Sequence, residues 1–344
     1  MHVFVTGGTG LIGSAVVAEL LGNGHSVVAL ARSADSAAAL ERVGAQPVRG
    51  ALTDLDVLRA GAAQSDGVIH LAFGNDFSSP EALARCVEEE SAALEVLGDA
   101  LIGTGHPLVT VAGTPVTPGR PSTESDPVPA VGPVAGRALA VQRVLDLASH
   151  GVRGTAIRLP RTVHNEGNGG FAGMLTQIAR SSGFSGYPGD GAQRWPAVHA
   201  LDAARLFRLA LDGAPAGTAW HAVADEGDAV RDIAAVIARR LDVPSGPVPV
   251  ETYGPLGPVF AIDQPSSSAH TRATLGWEPT HPGLLADLEN IQPSRPLARD
   301  SGCARDWARP EARGGGAGGA PTVSRSRPPP SQGRRPPCAG TSGG

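Results

Sequence analysis

The stretch Val5-Thr6-Gly7-Gly8-Thr9-Gly10-Leu11-Ile12-Gly13 decides the reading of this chain. The apolar run at 2–5 reads as a strand, and residues 14–21 have helical spacing. The glycines therefore stand on a strand-to-helix turn, the context in which their spacing has chemical meaning. Gly7 permits the tight turn, Gly10 lets the backbone approach a pyrophosphate, and Gly13 lets the helix lie close on the strand. The helix N-terminus offers free N–H groups and a partial positive charge to phosphate oxygens. With a second strand at 25–31, the pattern predicts a dinucleotide held by Thr6, Gly7, Thr9, Gly10, Leu11, Ile12 and Gly13. The alternative is a structural turn that binds nothing.

Outward from the loop, the second strand ends in Arg32-Ser33. A carboxylate there would accept hydrogen bonds from a ribose hydroxyl pair and repel a 2′-phosphate. Arg32 and Ser33 suit the phosphate instead, so NADP is expected in preference to NAD, with NAD still open. Asp54 follows a short strand at 46–49; it either meets an adenine amino group or caps the helix that starts at Leu55. The strand at 67–72 ends in Leu71 and the small Ala72, across which a cofactor can lie, while His70 reads as packed beside the sheet. A helix at 80–102, a strand at 107–112, a Pro/Ser/Gly-rich loop at 115–133, a helix at 134–150 and a strand at 154–160 continue the alternation. The pattern predicts an α/β protein with a Rossmann-type doubly wound parallel sheet over 1–160. Its ligand is expected at the carboxyl ends of the strands. Residues 161–291 break into shorter elements, expected as a smaller substrate-binding region interleaved with the core. Helices are expected there at 174–180, 201–211, 229–241 and 284–290, and strands at 220–224 and 247–252.

Composition divides the chain unevenly. The net charge is −5, yet residues 292–344 hold nine Arg against three acids, +6, so the remainder carries −5 − 6 = −11. This tail is rich in Arg, Pro and Gly, builds no core, and reads as a disordered, solvated extension rather than a nucleic-acid arm. No apolar span has the length of a membrane helix, and the chain runs directly into its first strand without room for a signal peptide. Cys86, Cys303 and Cys338 make no disulfide framework, so a reducing cytoplasm is the expected compartment. Histidines and carboxylates lack metal-ligand spacing, and no metal is expected. All 28 basic residues are arginine; no lysine ammonium takes part in any chemistry here.

Five motifs carry a resemblance: TGGTGLIG at 6–13, DGVIHLA at 66–72, RLPRTVH at 158–164, GDG…RWPAVHALDAA at 189–204 and LGWEPTHPGLLADL at 275–288. On these the chain resembles the extended and atypical short-chain dehydrogenase/reductase superfamily, in the NAD-dependent epimerase/dehydratase family, over about residues 1–290. The resemblance implies that Pro160 to Val163, with Pro160 and Val163 as contacts, line the nicotinamide side, and that Trp195, His199 and Asp202 stand on the opposite wall. It also implies a tyrosine, a lysine four residues later on the fifth helix, and a hydroxyl after the fifth strand. With Gln142 as marker, the tyrosine and lysine slots fall near Val134 and Ala138, and Arg137 next to them stays protonated at neutral pH. Only Tyr187 and Tyr253 exist, and neither lies on that helix. Thr114 (or Thr110) is left for the hydroxyl, and His164, His199 and Tyr187 for proton transfer. The expectation is an NAD(P)-binding oxidoreductase or epimerase-like enzyme with a non-standard site. It would act on a small carbonyl, alcohol or sugar nucleotide, with a homodimer left open. The competing reading is a non-catalytic NAD(P)-sensing regulator of the nitrogen-metabolite-repression type.

Overall fold

The computed structural model describes residues 1–292 apart from Asn75, Phe77 and Pro133. The first half runs β1 (His2–Thr6), α1 (Leu11–Gly22), β2 (Ser26–Ala31), α2 (Ala34–Arg42), β3 (Gln46–Arg49), α3 (Leu55–Ala63), β4 (Gly67–His70), α4 (Pro80–Asp99), β5 (Pro107–Gly113), α5 (Ala135–Asp146) and β6 (Arg153–Leu159). The second half runs β7 (Thr162–His164), α6 (Gly170–Ser182), β8 (Ser185–Pro188), β9 (Arg194–His199), α7 (Ala200–Gly213), β10 (Thr218–His221), β11 (Asp225–Ala229), α8 (Val230–Leu241), β12 (Ser245–Val248), α9 (Gly257–Phe260), α10 (Ala269–Leu275) and α11 (Leu284–Leu288).

The expected sheet is borne out. Seven strands in the order β10-β6-β5-β4-β1-β2-β3 pair parallel throughout. Helices on both faces bury the central strands, which is why β1 and β4 read as near-continuous apolar runs. One face packs Val16 and Leu20 of α1 against Phe207 and Leu211 of α7. The other packs Phe4 and Val68 under Leu58, Leu97 and Val144 of α3, α4 and α5. Each such side chain contributes about 1.5–3 kcal/mol on leaving water. A third cluster, around Trp195, Ile233, Phe260 and Leu288, fills the region beyond β6.

Helix boundaries follow local chemistry. Ser33 caps α2 by accepting from Ser36 N, and Ser79 caps α4 by accepting from Ala82 N, with Pro80 as the first helical residue. Gly24, at φ +81°, turns the chain after α1. Three expectations shift. The strand expected at 67–72 stops at His70, because the N–H groups of Leu71 and Ala72 turn to Thr6 Oγ1 at 3.2 and 3.3 Å. The strand expected at 247–252 ends at Val248, where Pro249 leads into a 3-10 turn. β7, β8, β9 and β11 escape the sequence pattern: β7 has only three residues, and the others carry Pro, Gly or both.

Residues after 160 build partly into the same sheet and partly into two small ones, β11-β9-β7 and β12-β8. β10 is its seventh strand, next to β6, and α7 lies along α1. Residues 1–292 gather into one unit; the rest of the chain, with the expected disordered tail, lies outside the described residues. Among the described residues no helix is long and apolar enough to cross a membrane.

Candidate functional site

The glycine loop crosses the carboxyl end of β1 and enters α1. Gly7 has φ +74°, and a Cβ there would lie 2.8 Å from Ala72 N; one on Gly13 would lie 2.0 Å from Gly7 O. These two glycines are demanded by the protein's own backbone. Gly10 differs. A Cβ on it would meet only Gly7 O, at an ordinary 3.5 Å, so internal packing leaves room for a side chain. Gly10 is also the residue before α1 and supplies no side-chain cap to the first turn, formed by Leu11, Ile12 and Gly13. Gly10 itself lines a cavity of about 460 Å³, together with Gly7, Thr9, Arg32, Leu71 and Ala72. A diphosphate fits: bare helix-start N–H groups with no Cβ in the approach form an anion cradle.

Thr6, Ser33 and Asp54, also expected at the cofactor, do not line this cavity. Thr6 is fully buried and ties β1 to β4; it accepts from Leu71 and Ala72 and stands 2.9 Å from His70 Nδ1. Ser33 is engaged as the cap of α2. Asp54 precedes α3 without capping it and accepts instead from Ala51 N at 2.7 Å. Residues missed in sequence complete the cavity, among them Ser36, Thr53, Phe73 and Glu89. Glu89, a carboxylate, suits ribose hydroxyls rather than phosphate. Beside Arg32, Arg49 of β3 donates to the Arg32 carbonyl at 3.4 Å, so two guanidinium side chains start near this edge of the cavity.

The helix that would carry the tyrosine–lysine pair is otherwise occupied. Val134 precedes α5 and is exposed, and Ala138 follows one turn later. Arg137 grips the buried Glu90 through Nε and Nη2 at 2.6 and 2.8 Å and lies 4.1 Å above the Phe73 ring. Thr110 is buried with its hydroxyl unpartnered. The carbonyl and hydroxyl oxygens of Thr114 both accept from Gln264 Nε2, at 2.5 and 3.2 Å. Tyr187 belongs to the two-stranded β8–β12 sheet, opposite Pro247, and packs in the third core cluster. Trp195 is buried there too, edge-on to Phe171 and Phe260.

His164 and His199, by contrast, are brought together. They are register partners on β7 and β9, with ring centroids 5.4 Å apart at 88°. His199 stacks on His281 at 4.8 Å. Buried carboxylates close both ends: Asp287 Oδ2 lies 2.8 Å from His164 Nδ1, and Asp202 Oδ1 lies 2.8 Å from His281 Nδ1. Asp287 also accepts from Gly167 N. Burial acts to raise its carboxyl, but this N–H and His164 outweigh it and hold the group below the usual carboxylate range. The Nδ1 of His164 therefore carries the proton toward Asp287, which leaves Nε2 buried and unpartnered. Leu201 N donates to His199 Nδ1 at 3.3 Å. The His199 Nε2 has no protein partner and is not sealed from solvent. Burial, then the neighbouring His164 and His281, push the His199 pKa below its ordinary value, which favours neutral imidazole. Val163, next to His164, is buried in the main core, and Pro160 is buried at the end of β6.

Sequence spacing gave no sign that His281 and Asp287 join this group. They lie 117 and 123 residues from His164, and only the pairing of β7 with β9 and the docking of α11 bring them in. Among the described residues no group of three His, Cys, Asp or Glu side chains is placed to hold a metal ion.

Comparison with known proteins agrees with this architecture. A family model described as the NAD dependent epimerase/dehydratase family matches residues 3–222. An uncharacterized protein of Schizosaccharomyces pombe is 44% identical over 294 residues, covering 84% of this chain and 98% of its own length. Another, from Saccharomyces cerevisiae, is 40% identical over 295 residues, with 84% and 98% covered. Among solved structures, the dTDP-glucose 4,6-dehydratase DesIV of Streptomyces venezuelae, with NAD and TYD bound, is similar in fold. Its TM-score is 0.69 at 20% identity, covering 84% of this chain and 96% of that one.

Proposed function

The chain belongs to the NAD-dependent epimerase/dehydratase family, and from that premise we propose that it is an NAD(P)-dependent oxidoreductase or epimerase-like enzyme acting on a small carbonyl, alcohol or sugar nucleotide. The observation that carries the reading is Gly10: nothing inside the protein requires a glycine there, whereas a diphosphate over the start of α1 does. Gly7, Gly10 and the first turn of α1 would hold the diphosphate, and Glu89 would accept from ribose hydroxyls. Arg32, with Arg49 next to it, would meet a 2′-phosphate, which favours NADP. The bound nicotinamide supplies hydride transfer. The DesIV structure, solved with NAD, supports a dinucleotide in a fold of this kind.

The proton that accompanies the hydride falls to the histidine cluster, since Val134 and Ala138 occupy the tyrosine and lysine slots and Arg137 is committed to Glu90. His199 suits the part. Its pKa is lowered toward neutral imidazole, its Nε2 is unbonded, and His164 and His281, each oriented by a carboxylate, flank it. The test is oxidation of NADPH by the purified protein over a panel of aldehydes, ketones and keto-sugar nucleotides, with His199→Asn beside the wild type. The expected result is turnover that falls at least a hundredfold in the variant while NADPH affinity holds. The vacant tyrosine–lysine slots favour a second reading, a dinucleotide sensor without chemistry. Tight NADPH binding with no turnover across the panel would decide for it.

A further inference from the structure

Their hydrogen-bond partners fix which nitrogen of His199 and of His281 carries the proton. Asp202 is fully buried and accepts three bonds: from Thr280 N on Oδ1 at 3.0 Å, from His281 N on Oδ2 at 3.0 Å, and from His281 Nδ1 on Oδ1 at 2.8 Å. Facing a carboxylate that only accepts, Nδ1 of His281 is the donor, and the neutral ring keeps its lone pair on Nε2. His199 is set the opposite way. Leu201 N donates to its Nδ1 at 3.3 Å, so the neutral ring carries its proton on Nε2. Among the described residues neither Nε2 has a hydrogen-bond partner, and the His281 side chain is 37% exposed.

The two rings stack 4.8 Å apart and 11° from parallel. Both turn Nδ1 to the first turn of α7, one to the backbone of Leu201 and the other to the carboxylate of Asp202. A hydrogen-bond donor and a proton acceptor thus stand on adjacent rings. The other titratable groups around them are His164 of β7, edge-on to His199, and Asp287 of α11, bonded to His164. Through His164 the cluster meets the glycine loop: a Cβ on Gly169 would lie 3.4 Å from His164 Cα and 2.6 Å from Cδ2 of Leu11, the first residue of α1. If His199 lost its Nε2 proton outright, an anionic ring would be left in a buried place. Its geometry serves a hydrogen bond to a substrate oxygen. His281 has the complementary equipment, since a proton taken up on Nε2 gives an imidazolium that Asp202 stabilises through Nδ1.

We propose that Asp202 and His281 are the proton reservoir of the site: His281 Nε2 supplies the net proton to the substrate oxygen that His199 Nε2–H holds, and Asp202 positions His281. This rests on the reading of the histidine cluster as the proton-handling group and divides its work between two rings. When hydride from NADPH reaches a carbonyl carbon, the C=O π pair moves to oxygen. The oxygen forms its O–H bond with the His281 Nε2 proton, directly or through one water, and His281 returns to the neutral Nδ1–H form.

Imidazole nitrogen NMR spectra of the full chain and NADPH oxidation over aldehydes, ketones and keto-sugar nucleotides test this together, for the wild type, His281→Ala and Asp202→Asn. The wild-type spectra are expected to show His281 protonated on Nδ1 and His199 on Nε2. His281→Ala should lose about a hundredfold in turnover with NADPH affinity and melting temperature unchanged, and added imidazole should restore about tenfold, which no purely structural residue would allow. Asp202→Asn, whose amide donates, should populate the Nε2–H form of His281 and lose turnover that imidazole does not restore. If that variant fails to fold, the wild-type spectra and the rescue of His281→Ala decide alone. The inference is overturned by a wild-type His281 protonated on Nε2, or by a loss in His281→Ala that imidazole leaves unrepaired. Turnover that survives His281→Ala overturns the inference alone. A wild type that oxidises NADPH with no member of the panel overturns it together with the enzyme reading.

Discussion

Two glycines of one loop make opposite predictions, because one answers to the protein and the other to a ligand. Gly13→Ala would drive a methyl group to within 2.0 Å of Gly7 O. It is expected to destabilise the fold by about 3 kcal/mol or more, seen as a drop in melting temperature. Gly10→Asp places its side chain in open space just before α1, where aspartate caps a helix well. Melting is expected to hold or rise slightly while NADPH binding disappears, since the carboxylate occupies the diphosphate cradle. Calorimetry and thermal denaturation on the same preparation separate the two effects; retained NADPH affinity would remove the main support for a cofactor. At the adenosine end, Arg32→Asp should turn a preference for NADPH into one for NADH, and an unchanged affinity ratio would release Arg32 from that role.

At the scale of the elements, buried charges and buried neutral histidines set the stability. Glu90 of α4 and Arg137 of α5 are joined through both oxygens, with Glu90 nearly sealed from water. Glu90→Gln leaves a half-buried guanidinium uncompensated and should cost about 1–3 kcal/mol, measured by urea denaturation. Burial pushes His70 of β4 down to about 3, and it pushes His221 of β10 down as well. Both are neutral in the fold. Once pH falls below about 6.5, the unfolded chain takes up protons that the folded chain refuses. Stability from these sites is therefore complete above that pH and is lost as pH drops toward 4. The melting temperature should fall steeply over that window. His221→Gln, which keeps a donor for Ser267 O, should flatten the slope; an unaltered slope would exclude His221 as a contributor.

For the molecule as a whole, the chain's match to its yeast relatives spans 98% of their length within 84% of its own, and the seven-stranded sheet closes with β10 at 218–221. Truncation after Gln292 is accordingly expected to leave melting temperature within about a degree and NADPH affinity unchanged, checked by scanning calorimetry and titration. The sheet was legible early because parallel strands buried on both faces announce themselves as apolar runs, and the helices between them by their spacing. The region after β6 was harder to read. β7 has three residues, β8 and β9 are interrupted by Pro, and all three pair over distances that no local period reports. Gly7, Gly10, Arg32, Leu71 and Ala72 were placed on the cavity wall by motif alone, whereas Thr6 is buried between β1 and β4, and Ser33 and Asp54, both exposed, bond to nearby backbone N–H groups.

The sequence by itself determined the order of strands and helices as far as β6, the glycine turn, and the lack of any lysine or helix-five tyrosine. Each of these is a property of residue type and near-neighbour spacing. Only the tertiary structure decided which charges find partners. It drew His281 and Asp287 to His164 and His199 and committed Arg137 to Glu90. A partner is a matter of a few ångströms in space, and the folded chain brings together groups that lie more than a hundred positions apart.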